Sequence, residues 1–234
     1  MPRWRAVVLD LDDTLYPEAA YVRSGFRAVA AQVQGTLGIP AGEAETELVA
    51  LFEEGVRGDT FDRWLASRGL GGEAVVGDLV SAYRAHEPGI DPYPDAAPLL
   101  GRLRAGGSAV GLLSDGDPAV QGAKLDALGL RDAFDAIVIT GELGEDAGKP
   151  SPRGYEAVLR RLGDAPPGES VYVSDNPAKD FLGARRAGMR SIRVRRPGGI
   201  YAHLEPETPE HAPDAETDDL ERVQRALDEL YSPS

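Results

Sequence analysis

The residues Asp10, Asp12 and Thr14 follow directly on the apolar run Ala6-Val7-Val8-Leu9. In an extended segment successive side chains alternate, so Asp10 and Asp12 point the same way. Two carboxylates aimed into one crevice suit two tasks: one attacks an electrophile, the other shuttles a proton. A solvated acidic loop also reads Asp-x-Asp, but the bulky residues just upstream and the Thr just downstream argue for a strand end.

Three further places carry chemistry. Ser114-Asp115-Gly116 ends a second apolar run, where a hydroxyl and neighbouring backbone N–H groups can face an oxyanion at a helix start. The same tripeptide is a common turn. Lys149 lies in Gly148-Lys149-Pro150-Ser151-Pro152, where Pro150 keeps Lys149 extended and Pro152 can open the next helix. Asp175 and Asp180 follow the run Val171-Tyr172-Val173, and Asp175 by itself could be a helix cap. Carboxylates about 4 Å apart repel by roughly 4 kcal/mol at an effective dielectric near 20. Gathering several of them in one crevice calls for compensating positive charge beside them.

These residues need elements to position them. Residues 5–10, 109–113, 134–140, 170–173 and 191–194 read as buried strands. Helical spacing separates the later ones, at about 95–105, 117–128, 152–162 and 177–187. Apolar strands alternating with helices predict an α/β fold, a Rossmann-like doubly wound parallel sheet with right-handed crossovers. Polar residues then stand just past the C-terminal ends of several strands, the edge where such sheets bind ligands, and Lys149 stands before a helix. Between Pro17 and Pro94 the pattern is helical throughout, with apolar residues spaced for four helices. The expected organisation is a core of 1–16 and 95–200, a four-helix insert at 17–94, and an irregular Pro- and acid-rich segment at 201–217. A C-terminal helix at 218–231 carries the stripe Leu220, Val223, Leu227, Leu230, which suits docking on the core or a dimer contact.

Composition narrows the function. The 234 residues hold 25 Lys+Arg against 39 Asp+Glu, a net charge of −14, which argues against nucleic acid or an anionic membrane as partner. The chain has no cysteine, which excludes disulfides, thiolate nucleophiles and iron–sulfur clusters. No targeting segment or membrane span is visible, so the cytoplasm is the expected location.

In order and placement these motifs resemble the haloacid dehalogenase (HAD) superfamily. The resemblance spans residues 5–195: motif one is Asp10-Leu11-Asp12-Asp13-Thr14-Leu15, motif two Leu113-Ser114-Asp115-Gly116, motif three Lys149-Pro150, and motif four Ser174-Asp175-Asn176-Pro177-Ala178-Lys179-Asp180. The insert at 17–94 is similar to the family's helical cap. One departure is Ser174, where the family commonly has Gly.

The resemblance implies that Asp10 is the nucleophile, forming an aspartyl-phosphate, and that Asp12 protonates the leaving oxygen and then activates water. It implies Mg²⁺ held by Asp10, the backbone carbonyl of Asp12, and Asp175, with Asp180 as ligand or close neighbour. Thr14, Ser114, Asp115 and Lys149 are implied around the substrate phosphate, Thr14 by orienting its loop. Members that cleave carbon–halogen bonds lack the second Asp, so Asp12 points to phosphate chemistry. The expected function is a Mg²⁺-dependent phosphatase of a small phosphorylated metabolite, acting as a monomer or homodimer. A phosphomutase shares every motif. A receiver-type phospho-accepting switch also uses an Asp, Mg²⁺ and a Lys, but has no helical insert and no use for Asp12.

Overall fold

The computed structural model describes residues 4–231; the first residues, read above as free of a targeting signal, lie outside that range. The chain forms two compact units, one from the chain up to Glu18 together with everything from Asp91 on, the other from Ala19–Ile90. The first contains a six-stranded, wholly parallel sheet in the order β3-β2-β1-β4-β5-β6. Its strands are β1 (Ala6–Leu9), β2 (Ala109–Ser114), β3 (Ala136–Ile139), β4 (Ser170–Ser174), β5 (Arg190–Val194) and β6 (Ala215–Thr217). This is the doubly wound α/β arrangement, and none of the described helices is long and apolar enough to cross a membrane.

The central strand explains the placement of the chemistry. Every residue of β1 is fully buried. Ala6 and Val8 face a core layer with Val138, Tyr155, Val158 and Tyr172, and by alternation Val7 and Leu9 face the opposite side. A strand covered on both faces must be apolar at every position. In the register, Leu9 pairs with Leu112 of β2 on one side and Val173 of β4 on the other. The residues just past these pairs are Asp10, Leu113-Ser114 and Ser174-Asp175. Three motifs that are distant in sequence therefore emerge side by side, at the switch point of the strand order.

Helices α5 (Ala96–Ala105), α6 (Pro118–Ala127), α7 (Arg153–Arg161), α8 (Asp180–Arg186) and α9 (Val223–Tyr231) complete this unit. Helix α8 starts three residues later than its periodicity suggests. Asn176 accepts from the Ala178 N–H at 3.0 Å, and the Asn176 N–H donates to Asp180 Oδ2 at 3.1 Å, so residues 176–179 form a turn instead. Helix α9 also starts later than expected, at Val223, and packs against β5 and β6. Its stripe is buried at Leu220, Val223 and Leu227, and the Trp4 indole donates to the Leu227 carbonyl at 2.8 Å. Docking on the core thus accounts for this stripe.

The expectation of irregular structure across 201–217 does not hold throughout. Ala215–Thr217 forms β6, with Ile192 opposite Ala215. Asp214 initiates the pairing: its N–H donates to the Ser191 carbonyl at 3.0 Å and its carboxylate accepts the Ser191 N–H at 2.8 Å. A three-residue, half-exposed edge strand has no apolar alternation by which to read it.

The second unit holds α1 (Glu18–Thr36, beginning in the first unit), α2 (Ala41–Glu53), α3 (Thr60–Ser67) and α4 (Glu73–Ala85). Its core is aromatic: Phe26 packs edge-on to Phe52 and Phe61, with the Tyr83 ring tilted against it. Gly25 admits Tyr83, whose ring lies 2.4 Å from where a Cβ would stand. This unit, Ala19–Ile90, lies within the segment 17–94 that helical spacing set apart.

Candidate functional site

All eight residues singled out in the sequence lie in the first unit. Strand β1 ends at Leu9 and the chain turns at once, with the Leu15 N–H returning to the Leu11 carbonyl at 3.0 Å. Asp13 adopts a left-handed backbone (φ 50°), which Asp tolerates better than most residues. Its carboxylate pins the turn by accepting the Glu18 N–H at 2.8 Å and the Ile200 N–H at 2.6 Å. The extended alternation expected beyond Asp10 therefore gives way to a turn, and Asp10 and Asp12 have separate sets of partners.

Asp10 joins a buried acidic cluster. Carboxylate oxygens of Asp10, Asp175 and Asp180 lie within 4.8 Å of one another. At that spacing each ionised pair repels by about 3–4 kcal/mol at an effective dielectric near 20. Lys149 Nζ answers part of this, at 2.9 Å from Asp10 Oδ1 and 2.8 Å from Asp180 Oδ1, and the Tyr172 hydroxyl lies 2.9 Å from it. Burial opposes the charge on Lys149, but Asp10 and Asp180 raise its pKa well above the ordinary lysine value. One lysine does not neutralise three carboxylates. Burial pushes the Asp10 carboxyl up to about 6, against the pull of Lys149 and with a further push from Asp180. Asp175 is raised well above the ordinary carboxylate value by burial, then by Asp180 and Asp10.

The donor set fits a hard divalent cation: three carboxylates, all buried, in an all-oxygen environment. Asp180 Oδ1, although beside Lys149, has no directed hydrogen bond. Asp175 is no helix cap, because α8 begins only at Asp180. Ser174 takes a definite place, its hydroxyl 2.6 Å from Asp180 Oδ2 and 3.4 Å from Asp10 Oδ2.

The Asp12 carboxylate stands outside this cluster. Lys124 Nζ lies 2.6 Å from Oδ1, the Tyr16 hydroxyl donates to the same oxygen, and Gln121 Nε2 donates to Oδ2 at 2.8 Å. Burial alone would raise the pKa of Asp12; Lys124, Tyr16 and Gln121 outweigh it and hold the carboxyl below the ordinary value. Ser114 is fully buried and its Oγ accepts from Gln121 Nε2 at 2.5 Å. Thr14 is also fully buried, and its hydroxyl has no hydrogen-bond partner among the described residues.

Asp115 has a bracing position. Its carboxylate accepts the Lys149 N–H at 3.1 Å, the Thr140 hydroxyl at 3.0 Å and Lys179 Nζ at 2.9 Å. Against the cost of burial, Lys149 and Lys179 hold its pKa down. What Asp115 can offer a phosphate is its backbone N–H, while its side chain holds the Lys149 loop. Reading the sequence missed Gln121, Lys124, Tyr16, Tyr172 and Lys179 as parts of this site. For the first two a signal existed: residues three apart on α6 share a face, and that helix follows motif two directly.

The comparisons with known proteins bear on this arrangement. The model of the haloacid dehalogenase-like hydrolase family matches residues 4–188. The chain belongs to that family. Among characterised relatives, it is 35% identical over 223 residues to the glyceraldehyde 3-phosphate phosphatase of Methanopyrus kandleri, covering 92% of this chain and 93% of the relative. It is 42% identical over 131 residues to the phosphoserine phosphatase of Thermus thermophilus, covering 56% and 49% of the two chains. The crystal structure of a HAD phosphatase from Thermococcus onnurineus superposes with a TM-score of 0.64 at 26% identity, covering 95% and 97%. Membership of this hydrolase family agrees with the parallel sheet and with the carboxylates gathered at its switch point.

Proposed function

We propose that the chain is a Mg²⁺-dependent phosphatase that hydrolyses a small phosphorylated metabolite through an aspartyl-phosphate on Asp10. The observation that carries this reading is the division of the carboxylates. Asp10, Asp175 and Asp180 share one buried cluster with Lys149, while Asp12 is held apart by its own donors. A nucleophile beside a cation site and a separate proton carrier are what phosphate-monoester hydrolysis by two displacements requires.

In the first displacement an Asp10 carboxylate oxygen attacks phosphorus and the bond to the leaving oxygen breaks, with Asp12, ionised in the free protein, taking up the proton of the substrate's monoanionic phosphate and passing it to that oxygen. In the second, Asp12 takes a proton from water as the water attacks phosphorus. The acyl-phosphate bond then breaks, releasing inorganic phosphate and restoring Asp10. Lys149 and the Ser114 hydroxyl are suited to bind phosphoryl oxygens, where positioned charge stabilises the transition state most. Asp10, Asp175, Asp180 and the Asp12 carbonyl would hold Mg²⁺, which would supply positive charge to the transferring group. The helical unit, inserted between motifs one and two, is assigned the role of cap and specificity element.

The presence of Asp12 favours phosphate over carbon–halogen chemistry, because a halide leaves without a proton. For the substrate, relatives named glyceraldehyde 3-phosphate phosphatase align over 92% and 81% of this chain, which makes a three-carbon phosphate the first candidate. The test is phosphate release from a panel containing glyceraldehyde 3-phosphate, phosphoserine and nucleoside monophosphates, with Mg²⁺ and with chelator. Mg²⁺-dependent release from at least one member is expected. Absence of release from all of them, or isomerised product without release, overturns the hydrolase reading.

A further inference from the structure

Helix α6 brings two side chains into the site that belong to none of the four motifs. The helix is well anchored: the Asp117 carboxylate caps it, accepting the Ala119 and Val120 N–H groups at 2.8 and 3.2 Å, and Pro118 occupies its first turn. Gln121 and Lys124, three residues apart on one face, are both buried. Burying a lysine ammonium is costly, and an ion pair rarely returns that cost as stability. Lys124 nonetheless approaches Asp12 Oδ1 to 2.6 Å.

Gln121 spans two functional groups at once. Its amide nitrogen donates to Asp12 Oδ2 at 2.8 Å and to Ser114 Oγ at 2.5 Å. An amide NH₂ carries two hydrogens, so both bonds can be made together, and only the nitrogen can face a carboxylate. Because Ser114 Oγ accepts here, its own proton remains to be donated to a phosphoryl oxygen. With Lys124 and the Tyr16 hydroxyl on Oδ1 and Gln121 on Oδ2, donors on both oxygens restrain the rotation of the Asp12 carboxylate.

We infer that Gln121 and Lys124 are positioning residues for proton transfer, locking the Asp12 carboxylate and the Ser114 hydroxyl into one frame around the transferring phosphoryl group. This rests on the phosphatase reading. The proton must reach the leaving oxygen as the phosphorus–oxygen bond breaks, and a carboxylate free to rotate spends little time aimed at it.

The dependence on leaving group separates this role from general structural support. An alkyl phosphate expels an alkoxide that needs the Asp12 proton, whereas 4-nitrophenyl phosphate expels a stable phenolate that does not. The value of kcat/KM reports the steps up to transfer to Asp10 and is blind to the later hydrolysis. In full-length Lys124→Met and Gln121→Leu, each with saturating Mg²⁺, kcat/KM on the best alkyl phosphate of the panel should fall on the order of 100-fold. On 4-nitrophenyl phosphate it should fall roughly tenfold less steeply, and Lys124→Arg should recover part of the alkyl activity. Equal losses on both substrates, or no loss, in a folded variant overturn the inference. If Lys124→Met does not fold, the ratio in Gln121→Leu decides by the same criterion. A wild-type protein that releases phosphate from neither substrate overturns the phosphatase reading and this inference together. An unchanged ratio in the variants of an active wild type overturns this inference alone.

Discussion

Replacing Asp10 by Asn should abolish turnover and make the cation-free protein more stable. Asp10 is 5% exposed and faces Asp175 and Asp180, so its charge is held at a cost. The carboxyl, ordinarily at 3.8, is pushed up to about 6 by burial, against Lys149 and with Asp180. At about 1.4 kcal/mol per pH unit, the ionised group destabilises the folded state by roughly 3 kcal/mol. Asparagine keeps an oxygen for Lys149 to bond and sheds the charge. For a chain of this size each kcal/mol moves the midpoint by about 2–4 °C, so a rise of about 6–12 °C is expected in chelator near pH 8.

The sign in pH follows from proton counting. Between 3.8 and about 6 the folded wild type holds a proton that the unfolded chain has lost, so its stability falls as pH rises through that window. The gap between variant and wild type should accordingly be full above this window and close below it. Thermal unfolding of both proteins with chelator, from about pH 4 to 8, measures it. Mg²⁺ should narrow the gap, since a cation at 100 times its Kd adds about 2.7 kcal/mol to the wild type and less to a variant lacking one ligand. An Asn variant that melts at or below the wild type in chelator at pH 8 would refute this electrostatic account of the site.

Asp175→Asn should weaken Mg²⁺ binding by at least about 10–100-fold, the range that even outer partners of a metal site cost, while leaving the fold intact. Calorimetric titration checks it, and an unchanged Kd removes Asp175 from the ligand set. Gly183→Ala should destabilise by about 1–3 kcal/mol in chemical denaturation, because the new methyl would stand 2.5 Å from the buried Tyr155 ring. The Tyr155 hydroxyl donates to the Asp180 carbonyl at 2.7 Å, so the same change should also lower Mg²⁺ affinity; a neutral result would mean that Tyr155 yields freely.

Strands β1, β2 and β4 were legible because each is built on a run of apolar residues buried on both faces, with an acidic residue directly or one position after its end. The strand β6 was not, since three half-exposed residues at a sheet edge carry no periodicity. The turn after Leu9 was hidden for a different reason: it is held by Asp13 reaching the N–H of Ile200, a partner 187 residues away. The partners of Asp12 were hidden likewise, because Gln121 and Lys124 lie 109 and 112 residues from it.

The order of side chains along the chain, and so the family and the chemistry available to it, is a local property: a carboxylate after a buried strand remains there whatever the rest of the fold does. Which carboxylates share a cation, and which one is set aside with a lysine and an amide of its own, depends on how strands and helices from distant segments approach. Strand register brings Asp10 to Asp175, and the packing of α6 brings Gln121 and Lys124 to Asp12. Both are decided by burial of whole apolar faces, a collective quantity that no short stretch of residues contains.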